Sequence, residues 1–482
     1  MRPELTAAVV AALSALAVTR VSRPLSVAVI ATPAVAVTCF AHGGGVAAAA
    51  AFVALAGVVA VDTARQRAAM MLSVAGVSAM SVSAMSVSAM SVSAMSVSAV
   101  GVGDSPVAAV VGVWLVAAAG GLLCDTHTRA AGVAVGLWAA LAGLTVLLTD
   151  AAGAEGMSAS LREVVGEQFA YRVSTPLTAA VWIGLLLWPL AGAAVVTSRR
   201  GGPGIGFVPP LLSLASVALI VRTGGVTHPW VATAGLVTMP VAAVLCLAQS
   251  DLRGRLTAAH AATLAYAAVV LVYQPAAFEA AVVTAALSAA VGLGVVSRLE
   301  RRYATRETAA FRGLARRHPS GSFLLAGSGL GLIATLAGPL AIAAVMPAVA
   351  AASGRLMLFV AAVGLLLTAA IAATLTSTLF GRTRVPEFRG PVFQRIGITP
   401  RRHGPLVGVG SMIAWAACLL AAALAATGRT TLVQTGGSSW PSAAASARET
   451  GRSSTNSAPS PESPRSRTLT PPLSRRASVD TM

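Results

Sequence analysis

From residue 5 to residue 427 the chain is a near-continuous ladder of apolar stretches separated by short polar runs. A helix needs about 20 mostly apolar residues to cross a bilayer. That ruler places about fourteen spans, at 5–19, 25–41, 44–61, 72–100, 107–123, 130–149, 177–197, 207–222, 228–250, 257–273, 276–297, 321–345, 356–380 and 404–427. Soluble domains carry about 25% charged residues, whereas here 10% are charged and 56% hydrophobic. The expected fold class is all-α: a polytopic integral membrane protein with its N-terminus outside. Because other spans follow the first stretch directly, it is expected to remain a span and not to act as a cleaved signal.

The loops support this count. From an external N-terminus, one side receives Arg20 and Arg23, Arg65 and Arg67, Arg129, Arg199 and Arg200, Arg253 and Arg255, and the dense loops at 298–317 and 382–402. The opposite side receives the loop at 150–176, where Asp150, Glu155, Glu163 and Glu167 face only Arg162 and Arg172. This is the positive-inside pattern, and it assigns the net charge of +18 to cytoplasmic loops. With no aromatic-interleaved basic face, nucleic acid is not an expected partner. The expected location is the cell membrane.

All 34 basic residues are arginine; there is no lysine. Lysine-dependent chemistry is therefore excluded: no phosphate-loop lysine, no Schiff base, no lysine that cycles its proton. Cys39, Cys124, Cys246 and Cys418 stand singly in or beside apolar stretches and read as small buried hydrophobes. No metal-ligand or hydrolase spacing occurs, so neither metal nor cofactor is expected. Gly327-Ser-Gly-Leu-Gly331 lacks a preceding strand and lies in an apolar run, which points to close helix packing and not to a dinucleotide.

Residues 76–100 repeat a Val-Ser-Ala-Met-Ser unit. Its pentad spreads Met80, Met85, Met90 and Met95 around a helix, so a methionine metal conduit is not expected. The chain divides into N-terminal helices at 1–106, a core at 107–430, and a Ser/Pro/Arg-rich tail at 431–482 that should be disordered.

Several segments resemble the antiporter-like proton-translocating family: the large membrane subunits of respiratory complex I, Mrp-type cation/proton antiporter subunits, and relatives. Residues 247–256, LAQSDLRGRL, resemble that family's Gln-x-Asp-Leu-Lys-Arg-Leu-Leu; residues 309–319, AAFRGLARRHP, resemble its Leu-Gly-Gly-Leu-x-Arg-x-Met-Pro loop. The following run ends in LAGP at 336–339, where the family has Leu-Ala-Gly-Leu-Pro-Pro. Residues 365–382 and 129–149 resemble further family spans, so the likeness covers roughly 107–385. It implies fourteen helices and homologous membrane subunits as partners beside the lipid bilayer.

The departures from the family are systematic. Its glutamate beside a tryptophan in the fifth helix is Leu115 after Trp114 here, and its seventh-helix lysine falls near Trp188. Its Thr-His-Ala-x-x-Lys-Ala run is Thr-Ala-Ala-Leu-Ser-Ala-Ala at 284–290, and its twelfth-helix lysine cannot exist. Arginine stays charged and cannot replace these groups.

The ionisable groups in or near spans are Asp62, Asp125, His127, His228, Asp251, His260, Glu279 and His403. Most lie within a turn of a span end, where snorkelling explains them. Glu279 and His260, with Asp251 and Arg253 nearby, are the candidate ion-pathway groups, because ionisable residues inside a membrane are functional candidates by default. Asp251 and Arg253 also read as a loop ion pair and helix cap. The expected function is a divergent antiporter-like subunit without a relay of its own, accessory to a Mrp-type or complex-I-like assembly and not catalytic alone. The alternatives are a stand-alone transporter of an uncharged solute and a scaffold or pore component of a secretion apparatus.

Overall fold

The computed structural model describes residues 3–20, 24–42, 45–61, 63–90, 106–124, 129–153, 183–184, 203–222, 229–273, 275–303, 306–337, 354–381 and 405–426. Among these the regular structure is helical: α1 Pro3–Thr19, α2 Pro24–His42, α3 Gly45–Ala60, α4 Ala64–Met90, α5 Pro106–Leu123, α6 Arg129–Gly153 and α7 Val208–Arg222. They continue with α8 Pro229–Ala248, α9 Leu252–Tyr273, α10 Pro275–Tyr303, the single turn α11 Leu314–Arg317, α12 Pro319–Ala337, α13 Gly354–Phe380 and α14 Pro405–Ala426. Short 3-10 turns, Pro203–Phe207 and Thr308–Phe311, precede α7 and α11.

Thirteen of the fourteen expected apolar stretches coincide with one of these helices; the stretch at 177–197 lies almost wholly outside the described residues, as do Pro339, residues 91–100 of the repeat and the tail. Seven helices (α1, α2, α5, α8, α10, α12 and α14) begin on a proline. Proline suits that place, since its missing N–H has no partner in a first turn and its φ is already helical. Pro209 and Pro210 sit in the first turn of α7, whereas Pro240 lies inside α8.

The interior is built on α10, which packs against α3, α7, α9, α12 and α14. Every residue from Ala280 to Ser297 is buried. α4 forms a second seam against α1, α3, α5 and α7. Small residues permit these approaches, because in lipid helix association depends on contact and not on expulsion of water. A Cβ on Gly112 would stand 2.7 Å from the Gly76 carbonyl and 2.6 Å from Met80 Cγ. The Gly327-Ser-Gly-Leu-Gly331 run spends its glycines in the same way: Gly327 receives Leu419 of α14, Gly329 receives Leu375 of α13, and Gly331 lies against Ser288 of α10.

Several of the buried hydroxyls are returned to the backbone. Thr38, Thr145, Ser216, Thr257 and Thr378 each donate to the carbonyl four residues earlier, which satisfies them without a partner helix. The outer surface is apolar, with Leu16, Trp114, Trp230, Val237, Val244, Ile413 and Leu420 all exposed. A water-soluble surface does not carry such extended apolar area; a lipid-facing one does. The helices Trp230–Ala248, Leu252–Val272 and Phe278–Arg301 are long and apolar enough to cross a membrane.

The indole Nε1 of Trp138 donates to Ser216 Oγ at 3.0 Å, tying α6 to α7. Trp138→Phe keeps most of the buried volume, and Ser216 retains its bond to the Leu212 carbonyl. The expected cost is about 1 kcal/mol, read as a small drop in the melting temperature of the detergent-solubilised chain.

Candidate functional site

The four candidate residues fall at three levels of the α9–α10 pair. Asp251 and Arg253 stand at the start of α9. The Asp251 carboxylate accepts from the Gly254 backbone N–H, the geometry of an N-cap. Across from it, the Thr308 N–H and hydroxyl both donate to the Ser250 carbonyl, at 3.1 and 2.8 Å. The connection after α10 is thereby stitched to the connection before α9.

Arg253 is 2% exposed and pairs directly with the Glu300 carboxylate on α10. Arg306 Nε lies 3.8 Å from the same oxygen, while the other oxygen of Glu300 is buried without a hydrogen-bond partner among the described residues. Gly206 of the turn at Pro203–Phe207 closes over the Arg253 stem, where a Cβ would be 3.8 Å from Cδ. Arg255 points elsewhere, donating to the Gln249 carbonyl at 2.7 Å and to Thr374 Oγ1 of α13 at 3.1 Å. Two charges drawn this far from water hold together only because each answers the other.

Burial raises the Asp251 carboxyl above its ordinary 3.8, opposed by its backbone donors and by the Arg253 and Arg306 charges. The folded chain therefore binds this proton more tightly than the unfolded chain, and stability falls as pH climbs from the ordinary value through the raised one. Asp251→Asn is expected to flatten that fall, seen in melting temperatures measured across the acidic range.

His260 lies about 10 Å further along α9. Its imidazole is fully buried, with Nε2 3.4 Å from Ser213 Oγ of α7. The Ser213 hydroxyl donates to the Pro210 carbonyl at 2.8 Å, so toward the imidazole it is the hydrogen-bond acceptor. The ring also faces the backbone at Pro209 and Ala285. Among the described residues Nδ1 has no hydrogen-bond partner.

Glu279 is six residues before Ala285, about 9 Å along the α10 axis. It accepts from the backbone N–H of Val46, in the first turn of α3. Gly45 opens that helix with φ 72° and offers no side-chain cap, so a carboxylate from α10 meets its positive end. The structure thus brings Asp251, Arg253 and Glu300 together, and places His260 and Glu279 at separate levels. Asp62, Asp125, His127, His228 and His403 lie outside the described residues.

Glu300, Arg306 and Ser213 were not singled out from sequence. Glu300 lies beyond the expected span end at 297, but α10 continues to Tyr303 and carries it inward. Its signal was available: an acid set among Arg298, Arg301 and Arg302. Among the described residues no cluster of His, Cys, Asp and Glu could hold a metal ion.

No family model and no curated protein sequence matches the chain. Solved structures do. A chain of respiratory complex I from Thermus thermophilus, with aureothin bound, superposes with TM-score 0.62 over 89% of this chain and 98% of its own, at 14% identity. A chain of the Mrp complex from Dietzia sp. DQ12-45-1b gives 0.62 over 91% and 97%, at 15% identity. This is the antiporter-like fold. A chain of the archaeal membrane-bound sulfane sulfur reductase shares it with TM-score 0.54 over 78% of this chain and 63% of its own, at 16% identity.

The antiporter-like fold extends well beyond residues 107–385, to which the motifs had pointed. Leu115 packs near Gly76, where a Cβ on that glycine would lie 3.1 Å from Leu115 Cβ. Its neighbour Trp114 is 71% exposed. The whole run Thr284–Ala290 is buried in the central helix, with Thr284 and Ser288 its polar members. Trp188 lies outside the described residues.

Proposed function

We propose that the chain is an antiporter-like membrane subunit of a Mrp-type or complex-I-like assembly in the cytoplasmic membrane, and that it lacks a proton relay of its own. It crosses the membrane fourteen times from an external N-terminus, with homologous membrane subunits and the bilayer as its partners. The observation that carries this reading is the buried run at 284–290. It occupies the middle of the central helix of an antiporter-like fold and contains no group that titrates. Threonine and serine hydroxyls can hydrogen-bond there but cannot store a proton at neutral pH.

In this reading Arg253 and Glu300 clamp one end of the α9–α10 pair, Asp251 caps α9, and Glu279 caps α3. Glu279 and His260 are the titratable groups at which ion movement by this chain would first be tested. The purified chain in sealed vesicles, with an imposed potential and an internal pH dye, is expected to give the same proton flux as empty vesicles. Glu279→Gln should leave that baseline unchanged. A flux well above baseline that Glu279→Gln removes would overturn the non-pumping assignment.

A further inference from the structure

Residues 298–318, from the last turns of α10 to the start of α12, hold seven arginines against two glutamates. Some are engaged internally: Arg306 beside Glu300, and Arg301 Nε donating to the Ser297 carbonyl at 3.2 Å. Arg312 and Arg316 differ from these. Both are exposed, and among the described residues neither side chain has a hydrogen bond or ion pair.

The backbone that presents them is anchored. Phe311 is buried edge-on against Tyr303, with ring centroids 5.9 Å apart, and the Tyr303 hydroxyl is 2.8 Å from His318 Nε2. Between the two arginines Gly313 takes φ 76°, turning the chain into α11. The Arg312 stem lies over the end of α13, 3.4 Å from where a Cβ on Gly381 would be.

An apolar surface begins beside them. Phe380 next to Gly381 is 73% exposed, and Phe323 on the first turns of α12 is 75% exposed. Each heads a stripe: Leu330 follows Phe323 on α12, and Thr376, Ala373, Ala369 and Leu366 continue from Phe380 on α13, all exposed at helical spacing. The two helices are neighbours, with Gly329 receiving Leu375. Unpaired guanidinium groups at the head of a long apolar stripe match an amphiphile with an anionic head. Guanidinium forks suit phosphate oxygens. An acidic protein segment or a free phosphate ion would make no use of the stripe.

We propose that Arg312 and Arg316 bind the phosphate of an anionic phospholipid whose acyl chains lie along the exposed faces of α12 and α13. The test is native mass spectrometry of the full chain in mild detergent, titrated with phosphatidylglycerol, phosphatidylcholine and inorganic phosphate. Retention of phosphatidylglycerol is expected at concentrations where phosphatidylcholine is released. Each arginine near an anionic headgroup contributes about 1 kcal/mol, so Arg312→Ala with Arg316→Ala should weaken retention about 30-fold. Arg20→Ala with Arg65→Ala, a control on two other exposed arginines, should weaken it little.

Equal loss in the control pair would overturn the proposal in favour of a diffuse charge effect. Displacement of the lipid by inorganic phosphate at similar concentration would make this a free-anion site. Loss of a co-purifying acidic protein from the variant, with no loss of lipid, would make it a protein surface. If the double variant does not purify, the wild-type chain decides: dihexanoyl phosphatidylglycerol, too short for the stripe, should be retained more weakly than the long-chain lipid, and equal retention contradicts the assignment.

Discussion

Arg253→Met is expected to lower the stability of the detergent-solubilised chain by about 3–5 kcal/mol, the range for removing one member of a buried ion pair. The cost comes from what is left behind. Glu300 is buried, and one of its oxygens is already without a partner among the described residues. Without Arg253 its carboxylate is left with the partly exposed Arg306, at 3.8 Å, and the like charge of Asp251. The double variant Arg253→Met with Glu300→Gln removes the stranded charge and should recover most of the loss. Apparent melting temperatures, with size-exclusion profiles to confirm monodispersity, check both. A single-variant loss near 1 kcal/mol, or no recovery in the double variant, would show that Glu300 is not held by Arg253 in the way described.

Gly331→Leu is expected to separate α10 from α12 at their closest seam. Even a Cβ at Gly331 meets the Ser288 hydroxyl, and Ser328 Oγ of α12 donates to the Ser288 carbonyl at 2.7 Å beside it. Overpacking usually costs about 1–3 kcal/mol, and more where neighbours cannot yield. Here the neighbour belongs to the buried central helix, so a value at or above the top of that range is expected. Gly331→Ala should cost much less when combined with Ser288→Gly, which clears the hydroxyl from its path. Melting curves of the four chains test this; additive effects of the two substitutions would contradict direct contact.

Much of the architecture was legible in the chain because membrane helices must satisfy their own backbone and show an apolar outer face to lipid. The helix at Pro405–Ala426, for example, needs only its composition to be recognised. Proline stands at seven of the helix starts, a sharper boundary mark than the hydropathy by which the spans were placed, because hydropathy is blind to the first turn. Glu300 shows where such reading stops. Span length alone ended the helix at 297, whereas burial of Glu300 depends on an arginine 47 residues away on another helix.

Glu279 and His260 illustrate the same limit. Both were visible as ionisable groups in apolar stretches, but their partners are not. Val46, which meets Glu279, is a backbone N–H on a helix far upstream, and Ser213 belongs to α7. Backbone donors and serine hydroxyls leave no distinctive mark in one sequence. The complete absence of lysine, by contrast, was plain from composition alone. The middle of the central helix is built from alanine, leucine, valine, glycine and small hydroxyls.

Assembly into a larger membrane complex is the proposal on which the chain's functional assignment depends. Its most direct test is purification of the tagged chain from native membranes in mild detergent, with identification and quantification of what accompanies it. Recovery of antiporter-like or dehydrogenase subunits in stoichiometric amounts is the predicted result. Recovery of the chain alone, monodisperse and intact, would contradict it and make a self-contained transporter the better reading.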